Sequence, residues 1–112
     1  MKTKHLTHDL SVASQMEPDD VSIAAAMGFK SIMCNRPDGE SLDQNLFETI
    51  RTIAERLGIE TAYLPIQTSG PTQEDIAEVA TLVAKLPRPI LAYGKTGERS
   101  EALLSKFFEA ET

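Results

Sequence analysis

Short apolar runs and longer stretches of helically spaced apolar residues alternate along this chain. Leu10 to Ala13 is a mostly apolar run that ends at Ser14-Gln15 and predicts a first strand. Pro18-Asp19-Asp20 then opens a helix, because Pro is tolerated in a first turn and carboxylates there face the positive end of the helix dipole. Val21, Ala24, Ala25 and Met27 supply its inner face, and Gly28 stands where a C-terminal cap belongs. Phe29 to Cys34 predicts a buried strand, stopped by the turn-forming series Asn35-Arg36-Pro37-Asp38-Gly39-Glu40. Leu46, Ile50, Ile53, Ala54 and Leu57 fall at helical spacing before Gly58. Ile59 to Ile66 is the third strand, ended by Thr68-Ser69-Gly70-Pro71. Thr72 with Asp75 three residues on marks a capped helix start, and Ile76, Val79, Ala80 and Val83 continue its stripe to about Lys85. After Pro87-Arg88-Pro89, Ile90 to Tyr93 is a wholly apolar strand. Gly94 to Arg99 is a polar loop, and a last helix begins at Glu98 or Arg99 with Ala102, Leu103 and Phe107 inward.

Strand–helix alternation of this kind predicts an α/β fold: a small, mostly parallel sheet of four or five strands with helices on both faces. The 112 residues suit one domain, 1–112. In open α/β sheets, ligands gather beyond the carboxyl ends of the strands. Asn35 to Glu40, Gln67 to Pro71 and Gly94 to Arg99 are therefore expected to share one edge as the site.

Composition narrows the function. The chain carries a formal net charge of −6 and no clustered Lys and Arg, so a nucleic-acid partner is not expected. One cysteine, Cys34, excludes an internal disulfide and CxxC spacings. The opening Met1 to His8 has positive charge but no apolar run after it, so neither a signal peptide nor a membrane span is expected and the cytoplasm is the simplest home. His5 and His8 lack a third ligand nearby, and no metal or cofactor is expected.

The candidate chemistry lies in Gly94-Lys95-Thr96-Gly97-Glu98-Arg99-Ser100. Successive amides of a tight glycine-bearing loop can converge on an oxyanion, and the helix start behind them adds partial positive charge. Arg99 could add a guanidinium fork, Gly97 permits the tight path, and the Thr96 or Ser100 hydroxyl could bond the ligand or fix the loop. The competing reading is a plain strand-to-helix turn with Arg99 in solvent. The order G-x-x-x-x-G-K-S/T is absent, which argues against a Walker A nucleotide loop.

Two stretches, Ser31-Ile32-Met33-Cys34-Asn35-Arg36-Pro37-Asp38-Gly39-Glu40 and Leu86-Pro87-Arg88-Pro89-Ile90-Leu91-Ala92-Tyr93, carry a family resemblance, joined by Ser11 to Gln15 and Glu17 to Asp20. The chain resembles, over nearly its whole length, the phosphatase-like domain of the bacterial beta-lactamase hydrolase-like proteins. That likeness implies a fold similar to dual-specificity phosphatases and rhodaneses. In those proteins a loop thiolate attacks phosphorus or carries sulfur while loop amides and an Arg hold the anion. The family loop usually reads Cys-Arg-Ser-Gly-Thr-Arg-Ser. Here Gly97, Arg99 and Ser100 match, and Gly94 stands at the nucleophile position.

Glycine cannot form a phosphocysteine or persulfide, so ordinary cysteine-phosphatase turnover through this loop is not expected. The four residues between Gly94 and Arg99 are one fewer than in cysteine phosphatases and closer to the rhodanese loop, which suits sulfur chemistry. Arg99 and Asp38 are the candidate catalytic residues, and residues 94–100 (Gly94, Lys95, Thr96, Gly97, Glu98, Arg99, Ser100) the candidate anion site. Glu98 is expected to turn outward. Asp38 and Glu40 could act as acid or base, or be solvated loop carboxylates. Cys34 could be a substitute nucleophile or a buried structural thiol, and Arg36 could tie its loop by a salt bridge or lend the site positive potential. Two classes of function follow: a domain that binds a phosphate- or sulfate-like anion, or a phosphorylated or sulfur-bearing ligand, without covalent turnover; and a hydrolase, protein phosphatase or sulfurtransferase using another nucleophile.

Overall fold

The computed structural model describes residues 1–111. Its elements run β1 (Thr3–Thr7), β2 (Leu10–Ala13), α1 (Pro18–Ala26), β3 (Ser31–Cys34), α2 (Phe47–Arg56), β4 (Glu60–Tyr63), α3 (Gln73–Lys85), β5 (Ile90–Tyr93) and α4 (Glu98–Glu111). The five strands lie in the order β1-β2-β5-β3-β4. β1 pairs antiparallel with β2, and all other neighbours are parallel. This is the α/β architecture expected, in its five-stranded form.

The strand alternation builds two cores. Because successive side chains point to opposite faces, Leu10, Val12, Met33, Ile90 and Ala92 meet Val79, Val83, Leu103, Leu104 and Phe107 of α3 and α4 on one face. Ala13, Ile32, Cys34, Leu91 and Tyr93 meet Val21, Ala24, Ile50 and Ala54 of α1 and α2 on the other. β5 and β3, at the centre, have all four residues buried. At such positions a large apolar side chain cut back to Ala costs about 2–5 kcal/mol, so the sheet is a stiff platform for the loops at its end.

Several details depart from the sequence reading. Thr3 to Thr7, where the sequence pattern predicts no element, forms the edge strand β1. Its outer side is solvated, so it shows no apolar period. Met27, Leu46 and Leu57, read as inward, are about half exposed (49%, 54% and 45%), because each stands at a helix cap where the chain turns from the sheet. In α4, Ala102 faces solvent and Leu104 takes the inward place. The third strand is regular only over Glu60–Tyr63, although Leu64 and Ile66 still donate backbone hydrogen bonds to Cys34 and Asn35. Thr72 and Asp75 form a reciprocal capping box at the start of α3, as their spacing predicts.

Candidate functional site

The parallel strands end together at Ala13, Tyr93, Cys34 and Tyr63, and the segment Gly94–Gly97 turns the chain from β5 into α4. Gly97 makes that turn possible. Its φ is +96°, and a Cβ there would stand 3.2 Å from the Ala13 carbonyl oxygen. Position 97 therefore needs glycine for its dihedral and for space. Gly94 differs. Its φ is not positive, and a Cβ would meet Ser100 Oγ at 3.7 Å and the Gly97 nitrogen at 4.0 Å, both ordinary contacts. The backbone at 94 accepts a side chain; the sequence supplies none.

The loop is held from behind. The Gly94 N–H donates to the Ala13 carbonyl (3.1 Å), the Gln15 N–H to the Lys95 carbonyl (3.2 Å), and the Glu101 N–H to the Gly97 carbonyl (2.9 Å). The Glu98 N–H bonds the Thr96 hydroxyl (3.2 Å). The amides of Lys95, Thr96, Gly97, Arg99 and Ser100 make no hydrogen bond among the described residues. Carbonyls tied back and amides left open are the polarity an anion requires. Gly94, Gly97 and Ser100 are buried, while Lys95, Thr96 and Glu98 are exposed.

Arg99 is not in solvent. Its Nη1 and Nη2 grip the two oxygens of Glu40 at 2.7 and 2.8 Å, and Nη1 also donates to the Ile66 carbonyl at 2.9 Å. A guanidinium has five N–H donors, so three are taken. The two that remain, Nε–H and the second Nη2–H, lie on one edge and form a parallel fork without a partner. Glu40 also accepts from Arg36 Nε at 3.0 Å. These guanidiniums, Arg99 first and then Arg36, hold the Glu40 carboxyl down at about 2 against a desolvation that pushes it up. Glu40 is thus a fixed anion at neutral pH, with no proton to give as an acid. Arg36 is the structural tie, its buried guanidinium also donating to Gln15 Oε1 at 2.9 Å.

Asp38 lies in the same loop with a different task. Its Oδ1 accepts from the Phe47 N–H (2.8 Å) at the start of α2, and its own N–H donates to the Tyr63 hydroxyl (2.9 Å). Phe47 and Tyr63 stack with centroids 5.0 Å apart, which closes that side of the loop. Cys34 is buried, donates to the Arg36 carbonyl at 3.3 Å, and has its thiol pushed up to about 11, chiefly by burial. Tyr93, its neighbour on β5, buries its hydroxyl with no conventional hydrogen-bond partner, the Cys34 sulfur being the group beside it.

Asn35 is a link that sequence reasoning missed. Fully buried, it donates from Nδ2 to the Leu64 carbonyl (2.9 Å) and accepts at Oδ1 from the Ser100 hydroxyl (2.7 Å). It joins the ends of β3 and β4 to the start of α4. Nothing in the sequence pairs residues 65 positions apart; the only sign was a polar residue directly after an apolar strand.

Of the three segments expected to meet, Asn35 to Glu40 and Gly94 to Arg99 are joined through Glu40 and Arg99. The segment after β4 arrives mainly through Thr68, which lines an open recess of about 260 Å³ with Lys95, Thr96, Glu98 and Arg99. Among the described residues no three His, Cys, Asp or Glu side chains cluster to hold a metal ion. No helix there is long and apolar enough to cross a membrane.

A phosphatase-like α/β fold with its polar loop at the end of the central strand is the class these features define. Residues 2–107 match the family described as "Beta-lactamase hydrolase-like protein, phosphatase-like domain", and the chain belongs to that family. It is 30% identical over 103 residues to a beta-lactamase hydrolase-like protein of Agrobacterium fabrum, a match that covers 92% of this chain and 24% of that protein. The chain thus spans about a quarter of the length of that relative. Among solved structures it is similar to a candidate phosphatase from Neisseria meningitidis, with a TM-score of 0.87 and 30% identity over 96% of this chain and 76% of the other. The fold is shared more distantly with P. aeruginosa TpbA, solved as a variant in complex with pTyr, at a TM-score of 0.60 and 14% identity over 85% of this chain and 54% of that one.

Proposed function

We propose that this domain seats a phosphate- or sulfate-like oxyanion, free or carried on a phosphorylated or sulfur-bearing ligand, at residues 94–100, and that ordinary cysteine-phosphatase turnover does not follow. The observation that carries this reading is the set of unbonded amides at Lys95, Thr96, Gly97, Arg99 and Ser100 in the loop that follows Gly94, with the Gly97 nitrogen 4.0 Å from where a Cβ on Gly94 would stand. The open edge of the Arg99 guanidinium supplies the charged donors. Lys95, exposed at the rim, adds positive potential. The TpbA complex supports the ligand class, since a protein of the same fold is found with pTyr. Asp38 serves the loop in this reading, holding the start of α2 and through it the segment that presents Glu40 to Arg99.

A hydrolase or sulfurtransferase built on Cys34 fits less well. Attack requires a thiolate, and this thiol is buried, hydrogen-bonded to a carbonyl and raised to about 11. Restoring the sulfur at position 94 separates the readings. Gly94→Cys should gain an iodoacetamide-reactive thiol at pH 7, protected by millimolar phosphate, while Cys34 of the native protein stays unmodified under the same conditions. Native protein should show no turnover of p-nitrophenyl phosphate above background. Native turnover that disappears in Cys34→Ser would overturn the proposal.

A further inference from the structure

The proton on the Ser100 hydroxyl is already committed, and this decides which anion the loop prefers. Asn35 Nδ2 donates to the Leu64 carbonyl at 2.9 Å, which fixes the amide so that Oδ1 faces Ser100. Oδ1 is an acceptor only, so at 2.7 Å the Ser100 hydroxyl must be the donor. Ser100 is fully buried, and its oxygen accepts no hydrogen bond among the described residues. That oxygen lies 3.7 Å from the point a Cβ on Gly94 would occupy, with the Gly97 nitrogen 4.0 Å from the same point. The point beside Gly94 therefore has an unbonded amide nitrogen near it and a hydroxyl oxygen whose proton is already committed. If Ser100 turned its proton toward a ligand, the buried Asn35 oxygen would lose its donor, a loss that burial makes expensive.

Resting on the anion-binding reading above, we infer that Ser100 acts as a hydrogen-bond acceptor and makes the site selective for an oxyanion that still carries a proton. A P–OH group placed beside Gly94 accepts from Gly97 and donates to Ser100. A fully ionised anion sets its own lone pairs against those of Ser100. Inorganic phosphate keeps at least one P–OH throughout the neutral range. A phosphomonoester loses its last one as pH rises through about 6. Sulfate has none.

These three ligands form the test, by calorimetric titration of the native chain at pH 5.5 and 7.5. At pH 7.5 inorganic phosphate should bind about tenfold or more tighter than sulfate, with phenyl phosphate close to sulfate. At pH 5.5 phenyl phosphate should tighten toward inorganic phosphate. Charged and titratable groups on the elements that meet at this end of the sheet are Glu98, Arg99 and Glu101 on α4, Lys95 in its loop, Arg36, Asp38 and Glu40 after β3, Cys34 on β3, and Lys2 and Lys4 near the Gly97 turn. His5 and His8 lie on the β1–β2 hairpin. Sulfate, which does not titrate between the two pH values, reports any change in these protein groups. Ser100→Ala should bring phosphate and sulfate within about twofold of each other. If that variant does not fold, the native series still decides the matter. Equal affinity for phosphate and sulfate in native protein would overturn this inference and leave the anion site standing; binding of no anion at all would overturn both.

Discussion

Two loops at the same end of the sheet use their polar side chains differently. In the segment after β3, the side chains of Arg36, Asp38, Glu40 and Gln44 all bond to the protein, and Asn35 bonds to Leu64 and Ser100. After β5, five amides and one edge of Arg99 bond to nothing, although Gly97 and Ser100 are buried. Buried donors without partners are uncommon because each carries an unmet desolvation cost. The first loop commits its polar side chains to the protein, whereas the second keeps a free guanidinium edge beside open amides. The first loop positions Glu40 and Glu40 positions Arg99, which on the proposed reading leaves the second loop for a ligand.

The contrast breaks most severely at Gly97. Gly97→Ala sets a Cβ against the Ala13 carbonyl at a left-handed dihedral, and a loss of about 2–4 kcal/mol in urea unfolding is expected, with the anion response gone. Glu40→Gln comes next. It leaves the buried guanidinium of Arg36 and the partly buried one of Arg99 without a carboxylate, for a loss of about 2 kcal/mol once their partial exposure is discounted. The same site sets an acid limit. Because the folded Glu40 carboxyl titrates near 2 rather than the ordinary 4.5, its contribution is complete above 4.5 and is lost as pH falls toward 2. Urea midpoints measured from pH 6 to pH 2.5 should fall more steeply in native protein than in Glu40→Gln. Asp38→Ala has the smallest effect, about 1 kcal/mol for a lost helix-start bond, and should leave anion affinity within about twofold if Asp38 only supports the loop. Loss of anion binding in a stable Asp38→Ala protein would move Asp38 from the scaffold to the site.

Local rules of the backbone were legible in the sequence. The Thr72–Asp75 box, the stop at Gly28, the buried run Ile90 to Tyr93 and the loop after it all follow from neighbours a few residues apart. β1 was not, since an edge strand solvated on its outer side has no apolar period to read. The state of the site residues was legible only in part. The loop motif singles out Arg99 as a charged donor; that Glu40, 59 positions away, takes its terminal fork is not legible there. The commitment of the Ser100 proton to Asn35 is likewise a tertiary fact. Substitution at Gly94 was visible because it removes chemistry from a recognisable pattern without altering the backbone that carries it.

The most direct test of the central claim is a titration of native protein with inorganic phosphate, followed by backbone amide NMR. Saturable shifts concentrated on Lys95, Thr96, Gly97, Arg99 and Ser100, with the amides of residues 35–46 nearly still, are the expected result. Shifts that fall on residues 35–46 instead, or none at tens of millimolar phosphate, would contradict the account.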